Sequence, residues 1–176
     1  NVIESFQSIS NDNYGFGIKS KSFEDSRFLA SLLQKNIHVR YNTKPLINSG
    51  TSWDPGSLFI LRGDNKHIQN ELTDLVNSIS ILHSRQIIEI KSGYSSRGVD
   101  LGSKDVKMLK KPLVGILGGE NVSPYNYGEI WHFFEKQLNY PLVQISEKKL
   151  NDALNSINTL ILPSGSYDFI KSEEKL

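Results

Sequence analysis

Apolar residues recur along this chain at two spacings, and the two alternate. Residues 14–18 (Tyr-Gly-Phe-Gly-Ile) form a short aromatic and branched run that predicts a strand. Ser22-Phe-Glu-Asp25 then has the form of a capping box, in which the acid reaches back to the start of a helix. Phe28, Leu29, Leu32 and Leu33 supply the stripe of that helix. Strands are predicted at residues 38–41 and 57–61. Asp64 or Asn65 is placed to cap a second helix, whose stripe is Ile68, Leu72, Leu75, Val76, Ile79 and Leu82. Residues 86–90 predict a further strand. Residues 113–117 are unbroken apolar sequence ending in Gly118-Gly119. Ile130, Phe133, Phe134 and Leu138 mark an amphipathic helix that stops before Pro141. A strand at residues 142–145 follows, then a stripe of Leu150, Ala153, Leu154 and Ile157, then a strand at residues 159–162.

Strands that alternate with helices imply βαβ units. The expected fold class is therefore α/β, with mainly parallel sheets and helices on both faces. The continuous apolar run at residues 113–117 fits, because parallel strands are covered on both sides. Residues 42–56 and 93–103, rich in Gly, Ser, Asn and Pro, read as irregular connections. Lys110-Lys111-Pro112 reads as a boundary, giving lobes at residues 1–110 and 111–176.

Composition narrows the chemistry. The 176 residues carry a net charge of +1, which offers no basic footprint for nucleic acid. The lysines at 107, 110 and 111, and at 148 and 149, read as solvated helix ends or turns. There is no cysteine, so disulfides, thiolate metal sites and a cysteine nucleophile are excluded within this sequence. No apolar run reaches the ~20 residues of a membrane helix, and no basic-then-apolar leader is present. The chain opens on Asn1 and closes on the charged residues 171–176, and both ends read as cuts in a longer polypeptide.

Ligands of open α/β sheets bind beyond the carboxyl ends of the strands. Two loops there supply the candidate binding residues: Gly118, Gly119, Glu120 and Ser123 in the first, Gly165 and Ser166 in the second. The first loop lacks both the Walker lysine and the spacing of a dinucleotide fingerprint, so it reads first as a structural turn. Ser166 has no nucleophile elbow around it and no acid–histidine pair after it. Glu129 completes the candidates, as an acid suited to a helix N-terminus. Trp53, in residues 42–56, reads as a buried anchor for its loop rather than an exposed ligand platform. His132 and Glu135 share one helix face, but a catalytic zinc needs a third protein ligand. His38, His67 and His83 offer no obvious partner. No catalytic residue and no metal ligand set is expected.

The segment KPLVGILGGENVSPYNYGEIWHFFEKQLNYPL (residues 111–142), followed by LILPSGSY (160–167), resembles the amidotransferase-like region found downstream of the peptidase domain in bacterial zinc carboxypeptidase-family proteins. YGFGI, GSLFILRGDN and SGYSSRGVDLGS are similar to the stretch that leads into it. The resemblance implies a flavodoxin-like, class I glutamine-amidotransferase-like fold for residues 111–176, present only in its first part. It implies a periplasmic or secreted multidomain parent whose zinc sits in a separate peptidase domain. It carries over no catalytic residue: an active amidotransferase needs a cysteine, and this sequence has none. The expected role is a non-catalytic accessory domain whose partner is the rest of its own polypeptide, the peptidase domain above all. The alternatives are a small-ligand-binding module that uses the two loops, or part of a hydrolase or amidotransferase completed by sequence elsewhere.

Overall fold

A computed structural model describes residues 12–169; Asn1 and the charged residues 171–176 lie outside the described residues. The chain divides into two compact units, Asn1–Leu109 and Lys110–Leu176.

The N-terminal unit is built on a five-stranded antiparallel sheet. Its elements in chain order are β1 (Gly15–Ile18), α1 (Phe23–Gln34), β2 (Arg40–Asn42), β3 (Leu46–Asn48), β4 (Thr51–Trp53), β5 (Leu58–Leu61), α2 (Leu72–Leu82), β6 (Ile88–Ile90), β7 (Arg97–Gly98) and β8 (Val106–Met108). The main sheet runs β6-β1-β5-β2-β8, and a second antiparallel sheet runs β4-β3-β7.

For the chain as a whole, this order overturns the expectation of mainly parallel sheets with helices on both faces and of a flavodoxin-like, class I glutamine-amidotransferase-like fold. Among the described residues, two antiparallel sheets hold eight strands, and only one small sheet of three is parallel. The physical reason lies in the crossovers. β1-α1-β2 and β5-α2-β6 are each helix-linked pairs of strands running the same way. Neither pair is adjacent: β5 lies antiparallel between β1 and β2, and β1 lies between β5 and β6. Within this one unit the two βαβ pairs are interleaved as a split βαβ arrangement. Alternation of strand and helix is the same in sequence whether the crossover lands on the next strand or one beyond it.

Four local expectations are also corrected. Residues 42–56 are not irregular, because Leu46–Asn48 and Thr51–Trp53 form a hairpin. Its two turn residues, Ser49 and Gly50, have φ of 50° and 76°, the backbone that two-residue hairpins demand. Residues 106–108 form an edge strand rather than a helix end, and β7 lies within the expected loop 93–103. The second helix is not capped by Asp64 or Asn65. Two 3₁₀ turns intervene, and the helix begins at Leu72 with Glu71 as its cap.

The alternation of β1 explains how both faces of the main sheet are filled. Gly15 and Gly17 share a face with Phe59, Leu61 and Ile90, their partners across the sheet. Trp53, 0% exposed, packs into that space in a core with Leu46, Leu101 and Val106. The loop is thus anchored by a buried tryptophan, as read from the sequence. On the other face stand Phe16 and Ile60. There the guanidinium of Arg62 lies 5.3 Å from the centre of the Phe16 ring and donates to Thr73 of α2 at 2.8 Å. At the start of α1, the Asp25 carboxylate accepts from the amides of Ser22 (2.8 Å) and Lys21 (2.9 Å), reaching back as a capping box requires.

The C-terminal unit contains β9 (Val114–Gly118), α3 (Pro124–His132), β10 (Leu142–Ser146), α4 (Leu150–Leu154) and β11 (Thr159–Ile161). Its parallel sheet runs β10-β9-β11, with the apolar β9 in the middle and nearly all of it buried. The helix after β9 is regular only to His132. Residues Phe133–Leu138 form a π-helical turn, closed by Asn139 in the left-handed region (φ 51°) ahead of Pro141.

Candidate functional site

Three parallel strands must end on one edge of their sheet, and that edge gathers most of the candidates. β9 ends in Gly118 and runs into Gly119 and Glu120. β10 runs into Glu147. β11 leads into Pro163, Ser164, Gly165 and Ser166.

The two loops are hydrogen-bonded to each other. Ser123 donates its amide to the Ser164 carbonyl at 2.7 Å, and Ser166 donates its amide to the Asn121 carbonyl at 2.9 Å. Val122 and Gly165 face each other in an isolated antiparallel bridge. Gly118, Gly119, Ser123, Gly165 and Ser166 are thereby brought into one rim. Glu120 and Glu129 do not join it by any polar contact and are exposed. Glu129 also misses the role read for it. It sits in the second turn of α3, past the first turn where the helix dipole favours an acid.

Glu147 is a residue that sequence reasoning missed. Its carboxylate lies against Gly119: a β-carbon added there would come within 2.4 Å of Oε1. That oxygen is buried and has no hydrogen-bond partner. A buried carboxylate oxygen left unpaired costs free energy. The space beside the glycine turn therefore holds a negative group, which repels a phosphate. Glu147 is far from Gly119 in sequence, and only the parallel register of β9 and β10 unites them, so no local motif could have revealed it.

Ser166 shows what the rim can and cannot do. Its hydroxyl donates to Asp168 Oδ2 at 2.8 Å. A serine bonded to a carboxylate, with no imidazole between them, has no relay for its proton. Three of the four histidines bond elsewhere, all within the N-terminal unit: His83 with Ser31 Oγ, His38 with the Asp64 carbonyl, and His67 with the Asn36 carbonyl. His132 is exposed at the end of α3. Glu135 accepts from Lys136 at 3.0 Å, and Phe133, read as a core residue, is exposed.

Three tyrosines frame this unit. Burial pushes the phenols of Tyr127, Tyr140 and Tyr167 upward, keeping them protonated. Tyr167 donates to the Pro163 carbonyl and Tyr140 to the Pro112 carbonyl at 2.8 Å. Tyr127 packs its ring beside Gly118. They brace the loops and offer no acid–base group near neutral pH.

In the N-terminal unit an open cleft at the start of α1 is lined by Lys19, Lys21, Ser22, Asp25 and Arg85. Its most buried charge is already matched, since Arg85 lies 3.3 Å from Asp25. Among the described residues, no helix is long and apolar enough to cross a membrane. Nor do three or more histidine, aspartate or glutamate side chains gather there as a metal site would require. No protein-family profile, curated protein or solved structure matches this chain.

Proposed function

We propose that this chain is a non-catalytic accessory module of a zinc carboxypeptidase-like protein, working beside the peptidase domain rather than performing hydrolysis itself. The resemblance of residues 111–142 and 160–167 motivates the family. The observation that carries the non-catalytic reading is the rim itself: the Ser166 hydroxyl is bonded to Asp168 with no histidine interposed, and the Ser123 hydroxyl caps α3. A binding role for the rim, or a packing role against a neighbouring domain, asks nothing more of these residues.

The test is direct. The purified chain is assayed for hydrolysis of C-terminal peptide bonds and of glutamine. Background rates are expected with both. Turnover that Ser166→Ala abolishes would make the chain a hydrolase and sink the reading.

Glu147 favours a second reading, a small-ligand site on the same rim. Its unpaired Oε1 beside Gly119 calls for a hydrogen-bond donor, so the ligand class is an amine, amide or hydroxyl compound rather than a phosphate. A thermal-shift comparison of free amino acids, polyamines and inorganic phosphate separates the two. Stabilisation by an amine, lost in Glu147→Gln, supports the ligand site through linkage. Stabilisation by phosphate alone contradicts it.

A further inference from the structure

His38 and His67 are read apart in the sequence, but the structure brings their rings together. Their ring centroids are 4.8 Å apart, with planes inclined by 40°. Each ring reaches across to the other's segment. His38 bonds through Nδ1 to the Asp64 carbonyl at 2.8 Å, and His67 bonds through Nε2 to the Asn36 carbonyl at 3.0 Å. A carbonyl can only accept, so both of these nitrogens carry the proton. That fixes the tautomers. In the neutral rings, His38 Nε2 and His67 Nδ1 each present a lone pair.

This is the arrangement that metal-ligating histidines adopt, with one ring N–H spent on a backbone carbonyl and the other nitrogen free. The ring spacing also fits. Two imidazoles bound side by side to one ion through nitrogens ~2.0–2.1 Å away place their centroids roughly 4.5–5 Å apart. Both rings are exposed, so an ion and its waters can enter.

The two segments are held rigidly in register. Asn65, 0% exposed, accepts from the His38 amide at 2.7 Å and donates to the His38 carbonyl at 3.0 Å and to the Leu61 carbonyl at 2.9 Å. One residue away, Arg40 grips both oxygens of Asp64 at 2.7 and 2.9 Å. That fork anchors the carbonyl that orients His38 and uses up the Asp64 carboxylate, so Asp64 is not a third ligand. Supporting contacts of this kind preorganise a site.

We propose that His38 and His67 form a two-histidine site for one borderline divalent transition ion, completed by water. Imidazole nitrogen suits Zn(II), Ni(II) and Cu(II) and disfavours Mg(II) and Ca(II). Water in the remaining positions leaves the ion open to a carboxylate or imidazole from a partner.

The experiment is a Zn(II) titration of the full chain by isothermal calorimetry in a non-chelating buffer, repeated with Mg(II). One Zn(II) per chain is expected, with no Mg(II) binding. His38→Gln and His67→Gln should each weaken Zn(II) binding at least ~10-fold, the lower end of what disturbing a ligand's support alone costs. His132→Gln should leave it unchanged. Circular dichroism confirms that each variant is folded; exposed positions tolerate the change. No one-to-one binding by the wild type would overturn the proposal, as would full affinity in either His38→Gln or His67→Gln. A stoichiometry of two, with each variant removing one ion, would also overturn it, because the rings would then act separately.

Discussion

The indole of Trp53 stands directly against the α-carbon of Gly17. A β-carbon at position 17 would come within 2.3 Å of the indole ring. The glycine is thus required by a side chain from the β3–β4 hairpin. Gly17→Ala should cost roughly 1–3 kcal/mol, the usual range for overpacking a filled core. Urea unfolding followed by tryptophan fluorescence measures this, and an unchanged midpoint would show that the hairpin layer yields freely.

Asp25 makes stability depend on acid. Burial opposes its ionisation. The amides of Lys21 and Ser22, the Ser22 hydroxyl and Arg85 outweigh that and hold the carboxyl below its ordinary value of 3.8. The folded form therefore keeps the carboxylate where the unfolded chain takes up a proton. The stabilisation is complete above the ordinary value and fades as pH falls through the lowered one. Asp25→Asn should lose about 1–2 kcal/mol at neutral pH, as loss of a cap and its charged bonds does. It should also lose less further stability than the wild type between pH 4 and pH 2. Parallel acid-unfolding curves for the two proteins would contradict this.

His83 acts in a higher window. Burial, then the positive charge of Arg27, lowers its proton affinity; Glu24 opposes them and Arg85 adds to them. The unfolded chain therefore binds a proton at His83 more readily than the folded one. The gain in stability is present above the ordinary value of 6.5 and is lost as pH falls below it towards the lowered value. His83→Gln retains a polar partner for Ser31, 2.8 Å away. Its melting temperature should fall less than that of the wild type between pH 7 and pH 5. A steeper fall in the variant would show the sign to be wrong.

Glu147 is expected to be a cost in the ligand-free chain. Its Oε1 is buried without a partner beside Gly119. Glu147→Met keeps much of the volume and removes that unpaired oxygen, and should gain about 1 kcal/mol. Chemical denaturation monitored by circular dichroism decides the matter. A loss of stability would mean that the carboxylate is already satisfied and would undercut the small-ligand reading.

How much of this was legible follows from what each signal encodes. The stripes led by Phe28 and by Ile68 located their helices, the second one turn too early, and the apolar run before Gly118 located the central strand of the parallel sheet. Those features are local. The hairpin at Ser49-Gly50 was hidden because its strands have three residues each, too short for alternation to show. Asn65 looked like a helix cap, but its amide is spent on the backbone of His38. Parallel or antiparallel pairing is a question of which strand lies between which, and periodicity does not carry it. At the candidate site, the loops at Gly118 and Gly165 were visible as strand ends. Glu147 and the His38–His67 pair were not, since each is made by register between distant segments.

The interleaved order of the N-terminal sheet has a kinetic consequence. Strand β1 is made first, yet its two neighbours, Leu58–Leu61 and Ile88–Ile90, come much later in the chain. During synthesis Phe16 and Ile18 wait unpaired until their β5 partners Ile60 and Leu58 are made, and the other edge of Phe16 waits until Glu89. Closing such long loops before any contact repays them slows folding and leaves apolar sequence exposed meanwhile. The parallel sheet downstream, whose strands meet in quick succession, has far less to wait for.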